Sequence, residues 1–303
     1  MTGRADEAGS RRFAVLGDPV RHSLSPPMQN AAFKAAGIDA RYEALDVPLE
    51  HLEGALAELH AQGVSGLNLT LPLKERAFGL VRTRTPEADR ARAVNTLRWE
   101  ANGWAGHATD GLGFLAWIHE LGIELQWRRV LLLGAGGAAA SVAPVVLQSG
   151  ASKIAIASRT RARAQSLARR LAGEEETGAG STVSSSSYRF HSWLFATGLE
   201  DDPAEILKEG PYDVLVRALA AEDVSESEAR LWRALGPGGP VLDLNYADRA
   251  ARVRDRCERE GRPFQDGLGL LLHQGALSFE FWIGRKAPLP AMREALRAAA
   301  RSR

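Results

Sequence analysis

Four apolar residues, Val130 to Leu133, run into "GAGG" and then into "AAASVAPVVLQSG". A buried strand, a glycine-rich turn and a helix in that order commit this part of the chain to a parallel sheet. A helix that follows such a strand crosses over the sheet face and delivers the next strand alongside the first. Gly134, Gly136 and Ala139 stand at G-x-G-x-x-A spacing across the turn. Glycines there permit a tight bend and let the backbone approach a pyrophosphate, and the first N–H groups of the helix point at it. Glycine-rich turns are common, so the spacing alone is a weak signal, and the strand–turn–helix context raises it. A merely structural turn is the competing reading. Pro144 falls inside the helix and is expected to kink it or shift its register.

Strand and helix alternate along most of the 303 residues. "RFAVLG" (12–17) reads as a buried strand. "SLSPPMQNAAFKAAG" reads as a helix with Ser25 as N-cap, Pro26 in the first turn and Gly37 past the end. "RYEALDV" is a strand. "LEHLEGALAELHAQG" places Leu49, Leu52, Leu56 and Leu59 on one helical face, closed by Gly63. "LNLTLPLKE" alternates Leu67, Leu69, Leu71 and Leu73 with polar residues or proline, which is strand periodicity. Pro72 is expected to end the ladder, with Lys74 projecting beyond it. "AVNTLRWEANGWAGHATD" reads as a hairpin turning at Asn102-Gly103, followed by the helix "GFLAWIHELG". A second block begins near Arg128 with the glycine turn. It continues through the strand "SKIAIASRT", the helix "RARAQSLARRLAG" and the strands "YDVLVRAL" and "PVLDLNY", and the chain ends in helices. The expected layout is a first domain over 12–110, completed by about 266–303, and a second over 111–265. Residues 1–11 read as a disordered leader, and the low-complexity stretch 174–187 as a flexible insertion.

Bulk composition removes several classes of function. A content of 45% hydrophobic and 25% charged residues is that of an ordinary soluble globular protein. A net charge of +1 supplies no field to recruit nucleic acid or an acidic membrane. No apolar run approaches the roughly 18 residues of a membrane span. The start of the chain has no apolar secretory core. The one cysteine, Cys257, excludes an internal disulfide framework and a multi-cysteine metal site, and fits a reduced, cytoplasmic compartment. No His/Cys cluster has ligand spacing, so no metal is expected.

The strand after the glycine turn bears on which nucleotide is bound. An NAD site puts Asp or Glu near its end to hold the ribose 2′-hydroxyl. Here Ser158 takes that place, followed by Arg159, Thr160 and Arg163. Two guanidinium groups and a hydroxyl suit a 2′-phosphate, whose charge an aspartate would repel. NADP is therefore expected over NAD. A solvated basic helix start is the bland alternative, but cations at a helix N-terminus oppose its dipole.

Other polar residues cluster near element ends. Ser23 and Ser25 lie just before a helix and could seat a carboxylate. Asn95 and Thr96 lie near a strand, and Asp110 between a hairpin strand and a helix. Gln274 lies on a helix where packing alone would explain it. Taken together, "GDPVRHSLSPPMQNAAF", "GLNLTLPLKE", "AVNTL", "ATDGLGF", "LLLGAGGAA", "SRTRARA" and "DGLGLLLHQGA" resemble the shikimate dehydrogenase family. They occur in that family's order over most of residues 13–284. The combination of N-x-T-x-P-x-K, A-V-N-T and T-D-G is the specific part.

That resemblance implies a mixed α/β substrate-binding domain, a Rossmann-type NADP-binding domain, and a C-terminal helix returning to the first. It implies reversible NADP-dependent reduction of 3-dehydroshikimate to shikimate by a monomer or homodimer. Lys74 and Asp110 would be the catalytic pair. Ser23 and Ser25 would hold the substrate carboxylate with Thr70. Asn95, Asp110 and Gln274 would bind ring hydroxyls, with Asn68 and Tyr246 also on the substrate side. Gly134, Ala135, Gly136, Gly137 and Ala138 would cradle the pyrophosphate. Ser158, Arg159, Thr160 and Arg163 would hold the ribose phosphate, and Gly267 would face the cofactor. An alcohol losing hydride must also lose a proton, and a lysine beside a carboxylate forms a couple able to carry it. The resemblance fails in one place. Where the family has N-A-T-x-x-G, this chain has Arg217, Ala218 and Leu219 with no following glycine, and the prolines and threonine after Tyr246 are also missing. A repacked but normal enzyme, a paralogue acting on quinate or an aminoshikimate, and a ligand-binding protein with weakened hydride transfer all fit that pattern.

Overall fold

The computed structural model describes residues 10–174, 187–191 and 193–302. Most of the segment 174–187 and residues 1–9 of the expected leader lie outside the described residues. The chain divides into two compact units, one of residues up to Trp117 together with those from Gly269 onward, the other Ile118–Leu268. Among the described residues no helix is long and apolar enough to cross a membrane.

The first unit opens with β1 (Arg11–Gly17), α1 (Ser25–Ala35), β2 (Ala40–Asp46), α2 (Leu52–Ala61), β3 (Val64–Leu69) and α3 (Lys74–Phe78). It continues with β4 (Thr83–Arg84), α4 (Pro86–Ala91), β5 (Thr96–Glu100), β6 (Gly103–His107) and α5 (Thr109–Glu120), whose residues from Ile118 on are counted with the second unit. The six strands form one mixed sheet in the order β2-β1-β3-β5-β6-β4. The strands β1, β2 and β3 are parallel, and β5 runs antiparallel to both β3 and β6. One face packs Leu16, Leu67, Leu69, Leu52, Leu56 and Trp104 into a core.

The second unit contains β7 (Arg129–Leu133), α6 (Gly137–Gln148), β8 (Lys153–Ser158), α7 (Arg161–Ala172), β9 (Ser187–His191) and β10 (Leu194–Gly198). Then come α8 (Ala204–Glu209), β11 (Val214–Arg217), α9 (Glu226–Trp232), β12 (Val241–Asp243), α10 (Asp248–Arg259) and β13 (Phe264–Gln265). Its sheet order is β13-β12-β11-β7-β8-β10-β9, parallel except for the β9–β10 pair. Val130 to Leu133 are fully buried, as parallel strands covered on both faces require. α6 runs through Pro144 as one helix. From β7 the chain first builds outward through β8, then returns to place β11 on the other side of β7. The order therefore reverses at β7, and the crevice beyond the carboxyl ends of β7 and β11 is the binding position of such a sheet.

The chain returns to the first unit as α11 (Leu268–Ile283) and α12 (Leu289–Arg301). Phe279 and Trp282 of α11 join Phe13, Phe33 and Tyr42 in an aromatic cluster with centroid separations of 4.8–6.0 Å.

The structure differs from the sequence expectation in five local features. Leu49 lies in a short 3-10 turn, 42% exposed, and does not continue the face of Leu52, Leu56 and Leu59. β3 stops at Leu69 rather than continuing to Pro72, and Leu71 is 52% exposed, because residues 70–73 turn to start α3. Ser25 is the first helical residue and not the cap; Leu24 is the cap residue, and Ser23 Oγ accepts the Ser25 N–H at 3.1 Å. The hairpin turns at Ala101-Asn102, with Glu100 opposite Gly103. Arg11, counted with the leader, belongs to β1. The apolar run Leu194–Gly198 was not anticipated as a strand, since it is short and follows a serine-rich stretch.

Candidate active site

Lys74 opens α3, and its backbone oxygen accepts the Val94 N–H at 3.0 Å, fixing where the side chain leaves the chain. A cation at a helix N-terminus meets a mildly unfavourable dipole, which a neighbouring anion offsets. Asp110 supplies it. Lys74 Nζ donates to Asp110 Oδ2 at 2.7 Å, with both side chains largely buried. Asp110 lies within α5 itself, in its first turn, where a carboxylate is favoured by the dipole.

Asn95 organises this pair. Its Oδ1 accepts the Thr109 backbone N–H at 2.8 Å, and this sets the amide the other way round for Asp110. Asn95 Nδ2 then donates to Asp110 Oδ1 at 2.8 Å and to Thr109 Oγ1 at 2.9 Å. Gln274 Oε1 stands 3.4 Å from the same nitrogen. α11 reaches this position because Gly113 has no side chain: a Cβ there would lie 2.6 Å from the Gln274 nitrogen. Gln274 Nε2 is committed to the Leu271 carbonyl at 2.9 Å.

Asn68 is a buried support. Its Nδ2 lies 2.9–3.0 Å from Asn95 O, Thr96 Oγ1 and Ser278 Oγ, three acceptors that share its two N–H donors, and its Oδ1 accepts the Tyr42 hydroxyl at 2.7 Å. Sequence reasoning did not single out Tyr42, Thr109 or Ser278. Ser278 was visible in principle, four residues after Gln274 and hence on the same helical face. Ser23 and Thr70 are half-buried and Ser25 is buried, and neither the Ser25 nor the Thr70 hydroxyl has a partner among the described residues.

The second unit holds the glycine turn. Gly134 has φ +119°, and a Cβ on it would lie 2.5 Å from the Ala218 carbonyl oxygen, so only glycine fits. Gly136 is the N-cap of α6, and a Cβ there would meet nothing within 4 Å. Ala135, Gly137 and Ala138 complete the turn and the first turn of the helix. Space above Gly136 and unpaired helix N–H groups fit a pyrophosphate. Ser158 ends β8 and is buried, while Arg159, Thr160 and Arg163 are exposed beyond it. Arg159 and Arg163 form no ion pair among the described residues, whereas Arg161 between them is tied to Asp201. The structure thus separates two available guanidinium groups from one in structural use. Tyr246 lies between β12 and α10 in this same unit, and the Gly267 N–H donates to Asn245 O at 2.8 Å.

A family profile described as the shikimate dehydrogenase substrate binding domain matches residues 15–97. One described as shikimate / quinate 5-dehydrogenase matches residues 118–181, and one described as the shikimate 5'-dehydrogenase C-terminal domain matches 267–297. A shikimate dehydrogenase (NADP(+)) from Symbiobacterium thermophilum is 35% identical over 95% of this chain and 94% of its own length. The chain belongs to the shikimate dehydrogenase family. A Methanopyrus kandleri member named shikimate dehydrogenase (NADP(+)) is 37% identical over 96% of both chains. The crystal structure of the Thermus thermophilus shikimate 5-dehydrogenase, in complex with NADP(H) and shikimate, superposes with a TM-score of 0.77 at 35% identity, covering 95% of this chain and 99% of that one.

Proposed function

We propose that this chain catalyses the reversible NADP-dependent reduction of 3-dehydroshikimate to shikimate. The observation that carries the proposal is the 2.7 Å Lys74–Asp110 pair, held by Asn95 inside the unit matched by the substrate-binding profile. Bound NADPH supplies a hydride to the carbonyl carbon. The carbonyl oxygen must then gain a proton, and Lys74 Nζ is the donor placed to give it and to take it back in reverse. Asp110 Oδ2 orients that nitrogen, and Asn95 keeps Asp110 from rotating away. Ser23, Ser25 and Thr70 supply hydroxyls for the substrate carboxylate, and Gln274 and Asn95 face the ring hydroxyls. Asn68 acts one step back, as the support of Asn95. The glycine turn with Arg159, Thr160 and Arg163 holds the cofactor. On this reading the partners are two small molecules, and the chain works in the cytoplasm as a monomer or homodimer without nucleic acid or membrane.

Purified protein given shikimate and NADP should produce absorbance from the reduced cofactor. Absence of turnover with shikimate and with quinate, under conditions where both bind, would reject the enzyme reading. Cofactor choice has its own test. Arg159→Ala should raise the KM for NADP by about tenfold or more, the scale of one charge-assisted contact of about 1.5–3 kcal/mol. The KM for NAD should hardly move, and equal changes for both cofactors would exclude a 2′-phosphate contact.

A further inference from the structure

The segment that departs from the family pattern is built around a buried cation. Arg217, the last residue of β11, has no exposed surface, and neither does Asp243. Its Nε donates to Glu228 Oε1 at 2.7 Å, its Nη1 to Asp243 Oδ2 at 3.2 Å, and its Nη2 to the carbonyls of Ala221 at 2.7 Å and Asp223 at 3.1 Å. The neighbouring carbonyls are held as well. Asn245 Nδ2 donates to Leu219 O at 2.7 Å, and Asp243 Oδ1 fixes Asn245 in turn. Arg249 Nη2 donates to Ala220 O at 2.8 Å, and Arg252 pairs with the Asp223 carboxylate. Four main-chain oxygens between 219 and 223 are therefore anchored, although the side chains of 220–223 are exposed.

This anchored segment is next to the dinucleotide turn. The Ala218 N–H donates to Leu133 O at 2.7 Å, and the Ala218 carbonyl is the group that forbids a side chain at Gly134. The candidate 2′-phosphate groups Arg159 and Arg163 follow β8, on one side of β7. β11 lies on the other side, across the point where strand order reverses. A dinucleotide whose adenosine half lies at the end of β8 and whose pyrophosphate lies at the start of α6 extends its other half toward the end of β11.

We infer that Arg217 is a positioning residue for the nicotinamide half of the cofactor, acting by pinning the main chain of residues 218–223 beside the glycine turn. The inference rests on the NADP-dependent reading above. A planar guanidinium satisfies two carboxylates and two carbonyls at once, which a lysine ammonium with three donors cannot.

The test compares wild type, Arg217→Lys and the double variant Arg249→Ala/Arg252→Ala, whose two arginines are exposed. Calorimetry measures binding of NADP and of adenosine 2′,5′-bisphosphate, which lacks the nicotinamide half. Steady-state kinetics separates kcat from the two KM values. In Arg217→Lys, NADP affinity should fall by about tenfold while the bisphosphate changes by less than about twofold, the gap of one good polar contact. Its kcat should fall more than its KM for shikimate rises. The double variant should show the same split at about threefold, and carries the test if Arg217→Lys does not fold. Equal losses for both ligands, or no loss of NADP affinity in either variant, would reduce Arg217 to a structural residue. Wild-type protein that binds neither ligand would overturn the NADP reading and this inference with it.

Discussion

Lys74→Ala should lower kcat by a factor on the order of 10²–10⁴, the range carried by one well-placed proton-transfer group, and Asp110→Ala should do the same. The two residues form one unit, since Lys74 Nζ and Asp110 Oδ2 are 2.7 Å apart and Asn95 fixes the other carboxylate oxygen. The double variant should therefore be scarcely slower than the worse single variant, because residues acting together are far from additive. Folding should survive. Asp110 without Lys74 keeps its Asn95 bond, and α3 keeps its anchor in the buried Leu73 and Ala77. Binding supplies the discriminating control. Shikimate should still raise the melting temperature of Lys74→Ala, because the serine and threonine hydroxyls are untouched, while turnover is nearly lost. Rates within a few-fold of wild type in either single variant would remove the pair from the chemistry.

What was legible in the sequence divides along physical lines. The glycine turn, the strand before it and the helix after it were readable because their constraints are local: φ, apolar periodicity and cap chemistry all act within a dozen residues. The Lys74–Asp110–Asn95 set was nameable only through the family resemblance, since three polar residues from separate elements carry no joint periodicity. Their supports were less visible. Tyr42 and Ser278 meet at Asn68 from a strand and from a helix 236 positions apart in sequence, as the numbering gives. Leu71 and Leu73 misled for the opposite reason. Alternation persists past Leu69, but the turn at 70–73 overrides it to bring Lys74 back toward Asp110. Arg217 was legible as a departure but not as a structure. Glu228 sits three residues after Ser225, a capping-box spacing, and Ser225 Oγ does accept the Glu228 N–H at 3.1 Å. The Glu228 carboxylate goes to Arg217 instead, an ion pair that only the tertiary fold reveals.

Removing Arg217 altogether should destabilise the protein strongly and in a pH-dependent way. Arg217→Ala leaves Glu228 and Asp243 buried without their shared cation, and a buried ion pair broken on one side costs about 3–5 kcal/mol. The charged groups around them fix the sign. Burial pushes Asp243 up from 3.8 to about 6, opposed by Arg217 and by the two Asn245 hydrogen bonds and reinforced by Glu228. Burial likewise pushes Glu228 up, opposed by Arg217, by Trp232 and by Arg256. A carboxyl whose folded value exceeds its unfolded value binds a proton more readily when folded. Its contribution to stability is complete below 3.8 and is lost as pH rises through about 6. Arg217 restrains that loss by favouring the ionised forms of both acids. Without it both values move further up, and the window of loss widens toward alkaline pH. Urea unfolding should therefore show the full deficit of Arg217→Ala at pH 8 and a clearly smaller one at pH 5, below the value of about 6 through which folded Asp243 loses its proton. Adding Asp243→Asn to Arg217→Ala should recover part of the stability at pH 8 and little at pH 5, because an amide needs no counter-ion. A deficit of the same size at both pH values would mean that the lost stability comes from the cavity and the freed carbonyls of Ala221 and Asp223, not from the two buried acids.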